Sequence, residues 1–356
     1  MIKIGIIGCG WIAEKAHITT VQEIPDAIVY GIYDDNHQKA KEVAGRNMIS
    51  KIYNNIYELL ESEIDAVIIC TPNITHSYYC NMALKYNKHV LCEKPIALNS
   101  RTYLSTVKLA RDRNKLLISG FVNRYRNDII ELSNVVEQFN LGKLNYIKAK
   151  WLRRDGIPRP GTWITNKKMA GGGVLVDLGS HVLDIVGRFM KNPEIELINV
   201  DCVRQSHGKK GAKWCDYDVK QGFDFDVETY IKFKISYLKR IYAELELSWD
   251  SDIMEDCTIF DLYYDLGHIR LNTIFGFSNN YSRQYDMLEI DSGSEIRRII
   301  FDRKRNEAMN AFKNQTSYFV KAIKENRYNK VYPNDALFTI KTIEMIYKLI
   351  GSVVYD

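Results

Sequence analysis

No stretch of this chain approaches the roughly 18 consecutive apolar residues of a membrane span, so a membrane is not an expected partner. The opening residues MIKIGIIGCG lack the basic start, long apolar run and small-residue cleavage site of a secretory signal. Cysteine is sparse. Cys9, Cys70, Cys80, Cys92, Cys202, Cys215 and Cys257 are an odd number, scattered, with no CxxC spacing. They read as reduced, mostly buried thiols in a cytoplasmic protein, with no metal site to expect. Charge of one sign is missing too. The net charge of +5 comes from 49 basic against 44 acidic side chains, and clusters are as short as Lys209-Lys210, so nucleic acid is not an expected partner. Internal repeats, low-complexity tracts and flexible linkers are absent. The 23 tyrosines could stack bases, but many stand in apolar or alternating runs such as Tyr237 to Tyr242 and read as core and sheet packing.

What is present exceeds one domain. With 356 residues, 46% hydrophobic and 26% charged, the chain can fill two cores. Short apolar strands come first, at Ile2 to Ile7, Ile28 to Tyr33, Ala66 to Cys70, His89 to Cys92 and Leu116 to Ser119. Helices alternate with them at Trp11 to Gln22, His37 to Gly45, His76 to Tyr86 and Ser100 to Arg113. That alternation predicts a parallel sheet covered on both faces. Beyond Phe121 the segments Asn145 to Leu152, Val227 to Ile235, Arg240 to Trp249, Thr258 to Tyr263 and His268 to Leu271 follow one another with few helices, which predicts a mostly antiparallel sheet. Helices are expected over Gly173 to Lys191, Ala308 to Asn326 and Asp335 to Val353, and a mobile loop over residues 204–226. The expected class is α/β: a dinucleotide-binding domain over residues 1–122, then an α+β domain for substrate binding and oligomerisation over 123–356 with a large, mostly antiparallel open sheet, its C-terminal helices being candidates to pack back on the first domain.

The first turn, Gly8-Cys9-Gly10-Trp11-Ile12-Ala13, is a G-x-G-x-x-A between a strand and a helix. The first glycine makes the tight turn, the second admits a pyrophosphate, and the small third residue lets helix and strand pack closely. Phosphate then rests on the amides of the helix start. The second strand ends at Asp34, 26 residues after Gly8, where a carboxylate accepts bonds from ribose hydroxyls. Asp34 repels a 2'-phosphate and Asp35-Asn36 supply no arginine, so NAD is favoured, with NADP open through Lys39 or His37.

Two more stretches stand where ligands of open α/β sheets bind, at the carboxyl ends of strands. They are Thr71-Pro72-Asn73-Ile74-Thr75-His76 and Cys92-Glu93-Lys94-Pro95. Taken alone, Glu93-Lys94 is equally well a surface ion pair worth little. The third signal is GGGVLVDLGSHVLD, Gly171 to Asp184. As a helix it is apolar nearly all round and so buried, yet Asp177, His181 and Asp184 fall on one face at i, i+4 and i+7. Such a stripe is either one wall of an active site or an internal hydrogen-bonded cluster, because unpaired burial is expensive.

Together these motifs, with Phe225-Asp226-Val227-Glu228 opening a strand, resemble the Gfo/Idh/MocA oxidoreductases over essentially the whole chain. The resemblance implies an N-terminal Rossmann domain and a second domain whose open sheet forms the substrate pocket and often the subunit interface. It implies that Lys94 hydrogen-bonds the reacting oxygen, that His181 is the acid/base, and that Asp177 orients it or contacts substrate. Asp184 matches a recurrent acid that is either functional or structural. The chemistry agrees: oxidising a secondary alcohol needs a base for the hydroxyl proton and a cation to steady the developing alkoxide. Asp177, if within reach of His181, would raise its basicity.

Cofactor contacts are expected from Gly8, Cys9, Gly10, Trp11, Ile12, Asp34, Asp35, Thr71, Pro72, Asn73, His76, Glu93, Lys94 and Asn123. Substrate contacts are expected from Arg124, Tyr125, Arg153, Arg159, Trp163 and Lys168. The triple glycine is expected to let backbone approach cofactor or substrate. The implied activity is NAD(P)-dependent oxidation of a ring hydroxyl of a sugar, cyclitol or related polyol, or its reverse. The alternatives are a glycosidase of the same fold using NAD as a transient oxidant, and a dinucleotide-binding sensor without chemistry. A homodimer or homotetramer is expected, on the argument that a broad apolar sheet face needs covering.

Overall fold

The computed structural model describes residues 1–191, 194–205, 224–237, 241–302, 307–327 and 336–351. Most of the segment 204–226, Cys215, part of the Tyr237 to Tyr242 run and both ends of the expected helix Asp335 to Val353 lie outside the described residues. The chain divides into two compact units, one of Met1–Val122 with Ala311–Ile340, the other of Asn123–Asn310 with Lys341–Tyr355.

In the first unit β1 (Ile2–Ile7), β2 (Ala27–Tyr33), β3 (Ala66–Ile69), β4 (His89–Glu93) and β5 (Leu117–Gly120) run parallel in the order β2-β1-β3-β4-β5. β3 is Ala-Val-Ile-Ile, buried at every position, as a strand between two helix layers must be. The helices are α1 (Thr19–Gln22), which continues a π-helical segment Ala13–Ile18, then α2 (His37–Arg46), α3 (Ile56–Glu61), α4 (His76–Lys85) and α5 (Ser100–Asp112). Asn36, Asn55 and Asn99 start α2, α3 and α5 by accepting the amides of Lys39, Glu58 and Thr102 at 3.1, 3.0 and 2.7 Å. One core joins Ile4, Ile6, Val21 and Ile32 to Phe319, Val320 and Ile323 from the far end of the chain.

The second unit contains α6 (Asn127–Gln138), β6 (Leu144–Leu152), α7 (Lys167–Ala170) and α8 (Ser180–Phe189), the last continuing a π-helical segment Leu175–Gly179. Then come β7 (Leu197–Arg204), β8 (Tyr230–Tyr237), β9 (Ile241–Ser248), β10 (Cys257–Tyr264), β11 (His268–Thr273), β12 (Tyr285–Asp291) and β13 (Ile296–Asp302). Two helices, α9 (Glu307–Lys324) and α10 (Leu337–Leu349), close the chain. The eight strands form one sheet in the order β13-β12-β11-β10-β6-β9-β8-β7, antiparallel except for β6 beside β9. A buried network fixes α6 to β11. Arg126, 1% exposed, is bidentate to Asp128 at 2.9 and 2.7 Å, and both bond Thr273.

Several expectations change. α3, α6, β7, β12 and β13 were not anticipated from the sequence. The strand expected from Val227 starts at Tyr230, because the Glu228 carbonyl is taken by the Val174 amide at 3.0 Å. Lys167–Phe189 is long and apolar enough to cross a membrane by length and composition, contrary to the sequence reading, and most of it is buried inside the fold. One face of the sheet is not broadly apolar either. Lys150 pairs with Glu246 at 2.6 Å and Lys232 with Glu244 at 3.3 Å, and Tyr146 and Tyr230 bond the same two glutamates.

Candidate active site

In the first unit the motifs gather at the carboxyl ends of adjacent strands. Gly8 follows β1 with φ of +90°, and a Cβ there would fall 2.8 Å from the Cys70 carbonyl and 2.9 Å from Thr71 Cγ2. Only glycine fits so close to the turn after β3. Gly10 is the reverse case: a Cβ would meet nothing nearer than the Cys70 oxygen at 3.9 Å, so the backbone stands open as a pyrophosphate requires. Asp34, at the end of β2, accepts the Cys9 amide at 2.7 Å through one oxygen and the Asn36 amide at 2.8 Å through the other. This fixes a half-buried carboxylate on the glycine turn, with lone pairs left for hydroxyls. Asp35 is exposed and accepts the Tyr33 hydroxyl, and burial together with that bond pushes the Tyr33 pKa up. The chain thus fits a dinucleotide by the open space at Gly10 and the tethered Asp34. Trp11 and Ile12, half-buried, begin the helix that follows.

His76 is 1% exposed, and its Nδ1 and Nε2 face the Pro95 and Thr71 carbonyls at 2.8 and 2.7 Å. Both ring nitrogens are occupied by backbone. The imidazole therefore braces the Thr71-Pro72-Asn73 turn against Glu93-Lys94-Pro95. Burial lowers its pKa against the pull of the two carbonyls. Asn73 is buried, while Thr71, Pro72 and Lys94 are half-buried. Glu93 is not a surface ion-pair partner. It bonds His17 Nε2 at 2.8 Å and the Lys94 amide at 3.3 Å. His17 is fully buried, with its ring edge-on to Phe312. Sequence reasoning passed over it, although a histidine on the buried side of the cofactor helix was a signal.

The second unit carries the other stripe. His181, 8% exposed, lies 6.0 Å ring to ring from Trp151 of β6. Asp177 accepts the Trp249 indole N–H at 3.0 Å, and Asp184, 3% exposed, accepts the Arg124 guanidinium through both oxygens. Arg124 is thus committed to Asp184 and anchors α8. The triple glycine also has a different reason from the expected one. A Cβ on Gly172 would lie 1.8 Å from the Tyr347 hydroxyl and one on Gly173 would lie 2.0 Å from the Glu228 carbonyl, so protein, not ligand, crowds them. Glu228, 8% exposed, accepts the Gly173 and Leu175 amides at 3.1 and 3.0 Å and the Tyr347 hydroxyl at 2.8 Å. It caps the helix that carries His181, and burial raises its pKa. Asn123 is buried, Tyr125 and Trp163 half-buried, and Arg159 and Lys168 exposed. Arg153 is 8% exposed, with its guanidinium 5.2 Å from the Trp151 ring. Among the described residues no cluster of three or more His, Cys, Asp or Glu could hold a metal.

Two family models cover most of the chain. The oxidoreductase family with NAD-binding Rossmann fold matches residues 2–121, and the GFO/IDH/MocA C-terminal domain matches residues 129–265. The chain belongs to the Gfo/Idh/MocA family. Among curated family relatives, D-glucoside 3-dehydrogenase of Escherichia coli is 31% identical over 199 residues, 56% of this chain and 56% of that protein. Myo-inositol 2-dehydrogenase of Thermotoga maritima is 30% identical over 214 residues, 59% of this chain and 62% of that protein. Each match spans less than two thirds of the relative's length. A 3-ketoreductase from Actinomadura kijaniata, crystallised with NADP and TDP-benzene, shares the fold with a TM-score of 0.78 at 18% identity, over 99% of this chain and 98% of that one.

Proposed function

We propose that this family member is an NAD(P)-dependent dehydrogenase that oxidises a ring hydroxyl of a sugar, cyclitol or related polyol to a ketone, or runs in reverse. The observation that carries the reading is the cofactor ridge itself: an open glycine turn with Asp34 bonded to it and Lys94 at the end of β4. The relatives' names, a glucoside 3-dehydrogenase and an inositol 2-dehydrogenase, support a polyol ring.

The glycine turn and Asp34 would hold a dinucleotide, which would supply the hydride acceptor for the carbinol carbon. The chain's own residues would handle the rest. The Lys94 ammonium donates a hydrogen bond to the reacting oxygen and stabilises it as charge develops. His181 takes the hydroxyl proton, its ring held beside Trp151. Asp177, fixed by Trp249, orients that end of the helix, and Trp163, Arg159, Lys168, Tyr125 and Asn123 are the candidates for contacts around the ring.

Purified protein with NAD or NADP and a panel of inositols, free sugars, glycosides, sugar phosphates and nucleotide sugars should form reduced cofactor with one class. Lys94→Ala and His181→Ala should each lower kcat by roughly a hundredfold or more. Turnover unaffected by either substitution would overturn the assignment. Asp34→Ala should weaken NADH binding and relax the preference for NAD over NADP, read by fluorescence titration. We further propose a cytoplasmic homodimer or homotetramer, supported by six free cysteines among the described residues and by exposed Tyr242, Tyr285, Ile296 and Ile300 on the strands of the large sheet. Light scattering on the purified protein tests the assembly.

A further inference from the structure

A cavity of about 420 Å³ opens in the second unit beyond Trp151, a size suited to a small ligand. It lies between the turn that follows β6, at Arg153, Asp155 and Gly156, and the turn that follows β11, at Phe277 to Asn280, with Asp256 beside β10. Nothing in the dehydrogenase reading uses Asp155, Asp256 or the Phe277 to Asn280 turn.

The cavity is built from positioned groups. A Cβ on Gly156 would fall 2.4 Å from Arg153 Cδ, and one on Gly276, at φ of +71°, would fall 2.6 Å from an Arg153 Nη. Two glycines therefore clear the space in which the Arg153 side chain lies, and the Trp151 indole flanks its guanidinium at 5.2 Å. Asp256, 7% exposed, accepts the Arg154 amide at 2.9 Å, the Ser278 hydroxyl at 2.6 Å and the Asn280 amide group at 3.1 Å, which fixes the second turn. Phe277 is half-buried, and Asn279 and Asp155 are exposed.

The mixture selects a chemistry. Arg153 stands with Asp256, and Asp155 is paired with the Arg154 guanidinium at 3.7 Å, so the mouth carries no net positive charge to hold a phosphate or nucleoside diphosphate. A neutral ring of hydroxyls finds donors in Arg153 and Asn279, acceptors in Asp155 and Asn279, and an apolar aromatic surface in Phe277 for its C–H face. Position supports the same reading. The Arg153 guanidinium lies 5.2 Å from the Trp151 ring, and that ring lies 6.0 Å from the His181 ring. The cavity begins one side chain away from the histidine proposed to take the proton.

We propose that this cavity is a subsite for an uncharged second sugar ring, so that the substrate is a glycoside whose neighbouring ring is oxidised beside His181. This rests on the dehydrogenase reading. The test compares disaccharides and methyl glycosides with free hexoses, inositols, hexose phosphates and nucleotide hexoses. It reads kcat/KM for NAD reduction and, separately, calorimetric binding to the NADH-loaded protein, in wild type, Phe277→Ala and Asn279→Ala. Asn279 is exposed, which keeps its variant folded. The expected result is a preference for disaccharides over free hexoses of roughly tenfold or more, cut by about that factor in either variant. Disaccharide binding weakened by both substitutions, with no NAD reduction, would keep the subsite and overturn the dehydrogenase. NAD reduction best with a free sugar, hexose phosphate or nucleotide hexose, or a disaccharide preference that neither substitution moves, would keep the dehydrogenase and overturn the subsite. Absence of any disaccharide binding overturns the subsite as well.

Discussion

A buried histidine reaches the Lys94 backbone through two hydrogen bonds. Glu93 is held on one side by buried His17 and reaches the Lys94 amide on the other. The turn carrying the ammonium is thereby set by the helix that carries the glycine motif. Gly120 allows this closeness, since a Cβ there would sit 2.9 Å from the Cys92 carbonyl and from Glu93 Cα. His17 is therefore a positioning residue. His17→Ala should lower kcat by about tenfold to a hundredfold, the scale on which misplaced groups lose rate, while leaving NADH affinity within a few-fold of wild type. His17→Gln, which still offers an N–H to Glu93, should recover most of the rate. Equal losses in both variants, or a loss confined to thermal stability, would make the contact structural only. At this scale the motif residues are legible in the sequence and their supports are not. Lys94, Asp34 and His181 stand in short motifs with fixed chemistry. His17 and Trp249 act across 76 and 72 residues, and no local pattern announces a partner at that distance.

Among the elements, the helix from the triple glycine to Phe189 was legible as a buried helix with a polar stripe, but its geometry was not. The segment Leu175–Gly179 is π-helical, which shifts Asp177 relative to His181 from the one-face alignment that 3.6 residues per turn would give. Its start was equally hidden, because the cap comes from Glu228, 55 residues from Gly173. A buried carboxylate at a helix start gains from the amides and from the helix dipole, yet loses hydration. Burial is the larger influence, and it raises the Glu228 pKa above its ordinary value. The folded chain then holds that proton more firmly than the unfolded chain. The contribution to stability is complete below the ordinary glutamate range, near about pH 4.3, and declines as pH rises through the folded value. Glu228→Gln has no such proton to lose. Its Tm should gain on that of wild type as pH is raised from about 4 to 8. A gap that stays constant across that range, measured by calorimetry, would mean that the carboxylate ionises as easily in the fold as out of it. Glu228→Ala, which also leaves the Gly173 and Leu175 amides without their acceptor, should destabilise by about 2 kcal/mol near about pH 4, a gap that narrows as pH rises.

For the whole molecule, the parallel and antiparallel sheets were both legible from hydrophobic period, since continuous apolar runs and alternating ones differ within a few residues. The path of the chain between its cores was legible only as two C-terminal helices that could pack back on the first domain, without saying which of them would. The first unit does not end at Val122; it takes back Ala311–Ile340, and Lys341–Tyr355 then belongs to the second unit again. The returning helix places Phe319, Val320 and Ile323, at 0, 2 and 7% exposure, in the same core as Cys9, Ala13 and Ile18 of the glycine turn and its helix. Thr316 meets Thr20 at 3.3 Å beside them. Side chains buried to this degree contribute about 1.5–3 kcal/mol each, a large part of the about 5–15 kcal/mol that holds a domain folded. Amphipathic spacing identifies such a helix as having an apolar face, but not which of two cores that face will fill. The cofactor turn thus depends on residues some three hundred positions away. Phe319→Ala in the full chain should cost about 3–5 kcal/mol in urea unfolding and loosen NADH binding, although Phe319 is buried in that core. A fragment ending at residue 122 should neither unfold cooperatively nor bind NADH, and fusing residues 311–327 to it through a short flexible linker should restore both. A fragment of residues 1–122 that unfolds sharply and binds NADH as the full chain does would show that the returning helix is an accessory to a core complete without it.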